Sequence, residues 1–276
     1  MGECVGQYFI TDEGLIPCAS LDEKSLYKGL SLYEVIRVID GVPLFVEDHI
    51  SRLFESSKAS SLNIRYTPGE IIASVHTLID TNRCDYGNIK IVISYPDTRT
   101  GVFFAFFIRH YYPTPEQYAS GVRAILYPAE RENPTVKVIN INLRTIVYNA
   151  IILQGAYEAL LVNAGGFITE GSRSNFFVIR KGTVITAPDS HVLPGISRKY
   201  ILTLCDQKKI PVTFDLVHNE DLTMVDAAFL SGTSPGVLPL AQVAEHRYAT
   251  DNRILRSIMK EYDTLIHTYV KQYKQR

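Results

Sequence analysis

The chain carries no metal-binding signature. Its seven histidines form no HExxH, and its four cysteines (Cys4, Cys18, Cys84 and Cys205) include no CxxC, which excludes the common zinc-hydrolase and zinc-ribbon patterns. The scattered cysteines read as buried thiols in a reducing cytosol, so the expected location is cytoplasmic. Charge of one sign is missing too. The 28 Lys and Arg nearly balance 29 Asp and Glu, leaving a net charge of −1. Neither nucleic acid nor a membrane surface is therefore expected as a partner. No apolar run approaches bilayer-spanning length. The start MGECVGQYFITDEG lacks the basic and apolar regions of a signal peptide, and Gly6 stands where a myristoylation motif needs Ser or Thr. Repeats and low-complexity segments are absent, as are the phosphate-loop patterns GxxxxGK[ST] and GxGxxG.

What is present is ordinary globular composition. Hydrophobic residues make up 46% and charged residues 21% of 276, enough for one large domain or two modest ones. LYEVIRVIDGVPLFVEDH has apolar runs around Asp40-Gly41 and reads as a hairpin. Asp48 offers an N-cap for a helix through HISRLFESSKAS. IKIVISYP and GVFFAFFIRHYY are strands joined by PDTRT. The polar segment 113–121, PTPEQYASG, reads as a linker between a small domain over 1–112 and a larger one over 122–276. In the second part VRAILYP is a strand. Apolar positions 143, 146, 147, 150 and 151 have helical spacing, with Gly155 as the stop. YEALLVNAGGFITEG and NFFVIRKGTVITAP read as hairpins, and LPGISRKYILTLC as a turn entering a helix. PVTFDLV and AAFLSGTS are strands, and 252–272 is a closing helix. Mixed strands and helices place the chain in the α/β class, of the α+β type.

Three features are candidates for chemistry. Glu170, in TEGSRSN, ends an apolar strand, and a carboxylate there needs a partner; capping nearby backbone amides would satisfy it without any function. LPGIS, 193–197, opens a helix whose free N–H groups suit an anion. SGTS, 231–234, offers small residues that let backbone approach a phosphate. A fourth segment, NPTVKVININLRTIVYNA, holds two basic residues, Lys137 and Arg144. Surface lysines and arginines are the rule, so either could be a solvated edge. Together the features suit one ligand with a phosphate, a protonatable ring nitrogen and an electrophile for Lys137. Pyridoxal 5′-phosphate has all three. Apolar neighbours Val136, Val138 and Ile139 would help keep the lysine neutral enough to react.

From about residue 29 to about 240 the sequence resembles the class IV aminotransferases, the fold type IV pyridoxal-phosphate enzymes. That group includes branched-chain and D-amino acid aminotransferases and aminodeoxychorismate lyase. LYEVIRVIDGVPLFVEDHISRL, KVIN, EALLVNAGGFITEGSRSNFFVI, LPGISR and SGTSPGVLPL occur in the family's order. The resemblance implies a two-domain fold with the cofactor in the cleft between domains. It selects Lys137 over Arg144: the family's Lys-x-x-Asn, then a helix, then Gly-x-x-Glu-Ala-Leu-Leu, matches Lys137, Asn140, Gly155 and Glu158–Leu161 without a gap. An arginine stays protonated and cannot condense with an aldehyde. By the same resemblance Arg52, Ile196, Ser197, Gly232 and Thr233 hold the phosphate. Glu170 pairs with the ring nitrogen, and Tyr33 lines the substrate side.

Three departures concern the substrate. Ser234-Pro235-Gly236 replaces a stretch that often carries Glu. No Arg-x-His carboxylate trap stands near Ser94–Arg99. Ile141 follows Asn140 where branched-chain enzymes carry tyrosine. The expected function is transamination between an amino acid, branched-chain among the options, and a 2-oxo acid, by a homodimer. Aminodeoxychorismate lyase, releasing pyruvate and 4-aminobenzoate, is the alternative, and a non-catalytic family member is the third.

Overall fold

The computed structural model describes residues 3–97 and 100–275. Thr98 and Arg99, which end the Ser94–Arg99 stretch and fall in the expected PDTRT connector, lie outside them. The described chain forms two compact units that are not contiguous in sequence. One comprises 1–111, 136–139 and 266–276; the other comprises 112–135 and 140–265. The expected division at a linker over 113–121 was linear. Here Thr114 begins a capping box and Pro115–Ser120 is a helix of the second unit. The lysine segment 136–139 belongs to the first unit.

The first unit contains strands β1 (Cys4–Thr11), β2 (Gly14–Pro17), β3 (Leu30–Ile39) and β4 (Val42–Pro43), helices α1 (Val46–Ala59) and α2 (Pro68–Asn82), and strands β5 (Tyr86–Tyr95) and β6 (Val102–Ile108). The strands pair antiparallel in the order β2-β1-β6-β5-β3-β4. Strand alternation sorts the residues into two layers. Leu32, Ile36, Val38, Ile89, Ile91 and Ile93 share a core with Ile50 and Leu53 of α1 and Ile71, Val75 and Leu78 of α2. Val92, Phe104 and Phe106 of the alternate positions form a second cluster with Phe9 and Leu26.

The expected hairpin at Asp40-Gly41 is present, with both residues at positive φ (52° and 75°), as a two-residue turn of this hand requires. The expected cap at Asp48 is corrected. β4 lasts only two residues, and Phe45 in the left-handed region (φ 52°) turns the chain directly into α1. Asp48 therefore falls inside the first turn, where it still complements the helix dipole. The cysteine expectation is also corrected. Cys4 and Cys18 are disulfide-linked, Cys84 is half-buried, and only Cys205 is a buried thiol. The pairing of β1 with β2 brings the two cysteines together.

The second unit contains α3 (Pro115–Ser120), β7 (Val122–Pro128), α4 (Ile141–Leu153), β8 (Glu158–Val162), β9 (Phe167–Gly171), β10 (Asn175–Arg180), β11 (Thr183–Thr186), α5 (Ile196–Gln207), β12 (Val212–Phe214), β13 (Val217–His218), β14 (Ala227–Gly232), β15 (Gly236–Val243) and β16 (His246–Arg247). Helix α6 (Arg253–Tyr273) begins here and contributes its last turns to the first unit. The sheet runs β12-β11-β10-β14-β15-β7-β8-β9-β13, with β16 on β15. β15–β7, β7–β8 and β11–β12 are parallel and the other pairs antiparallel. The expected single strand PVTFDLV is split into β12 and β13, which pair with different neighbours.

Candidate active site

Lys137 lies on a short extended stretch laid along β3. Tyr33 N–H donates to the Lys137 carbonyl (3.1 Å) and Ile139 N–H to the Ser31 carbonyl (3.0 Å), with an antiparallel bridge between Leu32 and Val138. Its own N–H donates to Ser56 Oγ of α1 (3.3 Å). Val136 is buried in the helix-side core. These ties aim the side chain: Lys137 Nζ sits 4.7 Å from the centroid of the Tyr33 ring. Asn140 follows, its side chain accepting the Leu143 N–H and capping α4. Arg144 is exposed on that helix, as expected of a surface charge.

Arg52 is buried and does not project as a lone helix-surface cation. Its Nε and Nη2 donate to Glu34 Oε1 and Oε2, both at 2.7 Å, and His49 Nδ1 lies 2.8 Å from Glu34 Oε2. Such a two-point grip fixes the guanidinium plane. Burial alone would raise the Glu34 carboxyl, but the Arg52 charge and the bonds from His49 and Arg52 overcome it and hold the group well below the usual carboxylate range. Burial pushes His49 below its ordinary value of 6.5, against the pull of Glu34 and helped by the charges of Arg52 and Lys137. Glu34 and His49 are functional candidates that the motif reading missed. The signal was available. Glu34 occupies the same strand parity as Leu32, Ile36 and Val38, so a carboxylate was destined for the core and needed a cation. His49 and Arg52 are three apart on one face of the next helix.

In the second unit Glu170 is buried at the end of β9. Arg131 Nε pairs with its Oε1 (3.1 Å), and Leu193 N–H donates to its Oε2 (3.2 Å). The Leu193 bond is the amide capping that a purely structural role requires; the Arg131 pair adds a fixed cation that the sequence reading did not assign. The loop after Glu170 is organised by a second buried carboxylate. Glu158 accepts from Ala159 N, Ser172 Oγ, Arg173 N and Ser174 Oγ.

Ile196 and Ser197 open α5. Its N-cap is Gly195, which provides no side-chain cap, so the first amides are left for another acceptor. A Cβ at Gly195 would collide with Asn175 Oδ1, which accounts for glycine there. Ser197 Oγ accepts from Tyr262 O–H (2.9 Å). Gly232 ends β14 and Thr233 begins the turn to β15. Beside them Ser231 Oγ is buried with no hydrogen-bond partner among the described residues, a polar atom that calls for one. Of the expected site residues, then, Tyr33, Arg52 and Lys137 belong to one unit, and Glu170, Ile196, Ser197, Gly232 and Thr233 to the other.

Residues 31–243 match the family described as amino-transferase class IV. The chain belongs to that family and is an enzyme of the aminotransferase type. Over 251 residues it is 25% identical to a D-alanine aminotransferase of Bacillus licheniformis, covering 82% of this chain and 83% of the relative. Over 263 residues it is 24% identical to a branched-chain-amino-acid aminotransferase of Pseudomonas aeruginosa, covering 88% and 86%. Its fold matches the crystal structure of a branched-chain aminotransferase from Thermoproteus uzoniensis with a TM-score of 0.86, at 22% identity and over 98% and 97% of the two chains.

Proposed function

We propose that the chain is a transaminase that uses pyridoxal 5′-phosphate, attached through Lys137, to move an amino group between an amino acid and a 2-oxo acid. The observation that carries this reading is Lys137 Nζ held over Tyr33 on a segment docked to β3 and α1. The residues fit the cofactor's groups. Uncapped amides at Ile196 and Ser197, the unpartnered Ser231 hydroxyl beside Gly232 and Thr233, and the oriented Arg52 guanidinium suit a phosphate. A buried carboxylate, Glu170, suits a protonated ring nitrogen.

When bound, the cofactor supplies an electrophilic aldehyde and an electron sink that makes an amino acid's Cα–H bond acidic. The chain does the rest. Lys137 takes the Cα proton as a base and returns a proton as an acid. Glu170, kept oriented by Arg131 and the Leu193 amide, holds the proton on the ring nitrogen. Arg52 is held in one orientation by the two-point contact with Glu34. The test is to add an amino donor with no acceptor. Stoichiometric conversion of the cofactor to its pyridoxamine form, reversed by a 2-oxo acid, is the expected result. No conversion by any donor, with pyruvate released from aminodeoxychorismate, would move the assignment to the lyase.

The same reading includes a homodimer. Among the described residues, no helix is long and apolar enough to cross a membrane. Support for a second copy comes from α4, which leaves Ile141, Ile146, Tyr148, Ile152 and Leu153 exposed, Leu153 at 85%. Large apolar side chains left exposed together on one helix mark a contact surface. Light scattering is expected to give twice the mass of the chain, and Ile152→Lys to shift it toward the monomer. A wild-type monomer with full activity would remove the dimer.

A further inference from the structure

A second lysine shares the Tyr33 ring. Lys90, on β5 in the layer away from α1 and α2, is wholly buried. Its Nζ lies 5.7 Å from the Tyr33 centroid and 5.1 Å from that of Tyr27. It donates to both carboxylate oxygens of Glu3, at 2.8 and 2.9 Å, and lies 3.1 Å from Tyr27 Oη, which itself donates to Glu3. A buried ammonium is the group that would recognise a substrate carboxylate. This one already holds a carboxylate of the same chain.

Glu3 is built into place. Its N–H and that of Cys4 donate to Glu23 Oε1. Cys4 pairs with Ile108 across β1 and β6, and its side chain is linked to Cys18. The carboxylate is thus presented to Lys90 by the strand, the disulfide and a neighbouring glutamate at once.

We propose that Glu3 determines substrate specificity by neutralising Lys90 beside Tyr33, so that amino acids and oxo acids with neutral side chains are accepted and those with a second carboxylate are turned away. This rests on the reading of Lys137 and Tyr33 as the reacting side. An incoming side-chain carboxylate meets a like charge and finds its counter-ion taken, and an unpaired charge near a desolvated site is the usual means of rejecting a competitor.

The experiment compares alanine, leucine, aspartate and glutamate, in both hands, on the cofactor-loaded enzyme. The wild type is expected to prefer neutral donors. Glu3→Gln is expected to raise the acidic-to-neutral ratio of kcat/KM by roughly tenfold or more. Glu13→Gln, an exposed charge on the same terminal segment, is expected to leave the ratio alone. Glu3→Gln/Lys90→Met is expected to lose the gain. A binding readout stands apart from turnover: glutarate, which has no amino group to transfer, should raise the melting temperature of Glu3→Gln and not that of the wild type. An unchanged ratio in folded Glu3→Gln, or the same gain in the double variant, overturns the proposal. If Glu3→Gln does not fold, the wild type decides, because equal use of acidic and neutral donors of one hand overturns it. A wild type that transaminates neither class sinks the functional reading instead, and glutarate binding still judges Glu3 and Lys90.

Discussion

Lys137→Ala is expected to lose turnover by roughly 10³–10⁴-fold while keeping its fold, the size typical of removing a general acid–base group. The backbone ties that place this residue, from Tyr33, Ile139 and Ser56, do not use its side chain, so deleting the amine leaves the segment docked. Its Nζ faces the Tyr33 ring. Lys137→Arg should be as inactive as the alanine variant, because a guanidinium stays protonated. The deciding measurement is borohydride reduction of the wild type followed by peptide mass spectrometry. The cofactor mass should sit on the peptide containing Lys137. Lys199, exposed on α5, serves as the comparison: Lys199→Ala should keep both activity and the adduct. A cofactor mass found on Lys199, or near-normal turnover in Lys137→Ala, would show the assignment to be wrong.

Local chemistry made some of this arrangement legible in the sequence. The Asp40-Gly41 turn, the Lys181-Gly182 turn of the β10–β11 hairpin and the stop at Gly155 are positive-φ positions, and the residue types that tolerate them announce themselves. Asn140, which the family motif picks out, is also the N-cap of α4. The unread features are those set by pairing across long separations. Nothing near Cys4 says that β1 will fold back on β2 and meet Cys18. Nothing near Glu3 says that it will reach Lys90, 87 residues on. Segment 136–139 reads as the run-up to a helix, yet it belongs to the first unit and bridges to β3 there. The helix start at Phe45 was missed for a different reason. An aromatic residue at positive φ is uncommon, and Asp48 is a better N-cap by type; the two-residue length of β4 decided the matter. Arg131 was overlooked because it lies in a polar stretch with no periodicity, and only the placement of Glu170 gives it a partner.

Glu34→Ala is expected to cost about 3–5 kcal/mol, the range for leaving one member of a buried ion pair behind, and to lower the Tm by on the order of 10 °C for a chain of this size. The Arg52 guanidinium would remain buried in the core between β3 and α1 without the carboxylate that now holds two of its nitrogens. Cofactor affinity should fall as well, since the proposed phosphate ligand would lose its fixed orientation. Glu34→Leu/Arg52→Met separates the two effects. Replacing the pair by apolar side chains should recover most of the stability and none of the affinity. The pH dependence gives a further signature. The Glu34 carboxyl in the folded chain lies below its ordinary value of 4.5, so its stabilising contribution is complete above that pH and is lost as the pH falls toward the folded value. His49 also lies below its ordinary 6.5. The unfolded chain therefore takes that proton first, and stability already erodes as the pH drops below 6.5. The wild type should thus lose Tm in two successive limbs on acidification. In Glu34→Ala the lower limb should flatten and the upper one persist, because removing Glu34 removes the attraction that opposes the burial of His49. Calorimetry from neutral pH down through the carboxylate range reads both limbs. Matching Tm values for Glu34→Ala and wild type at neutral pH would show that the pair does not hold this unit together.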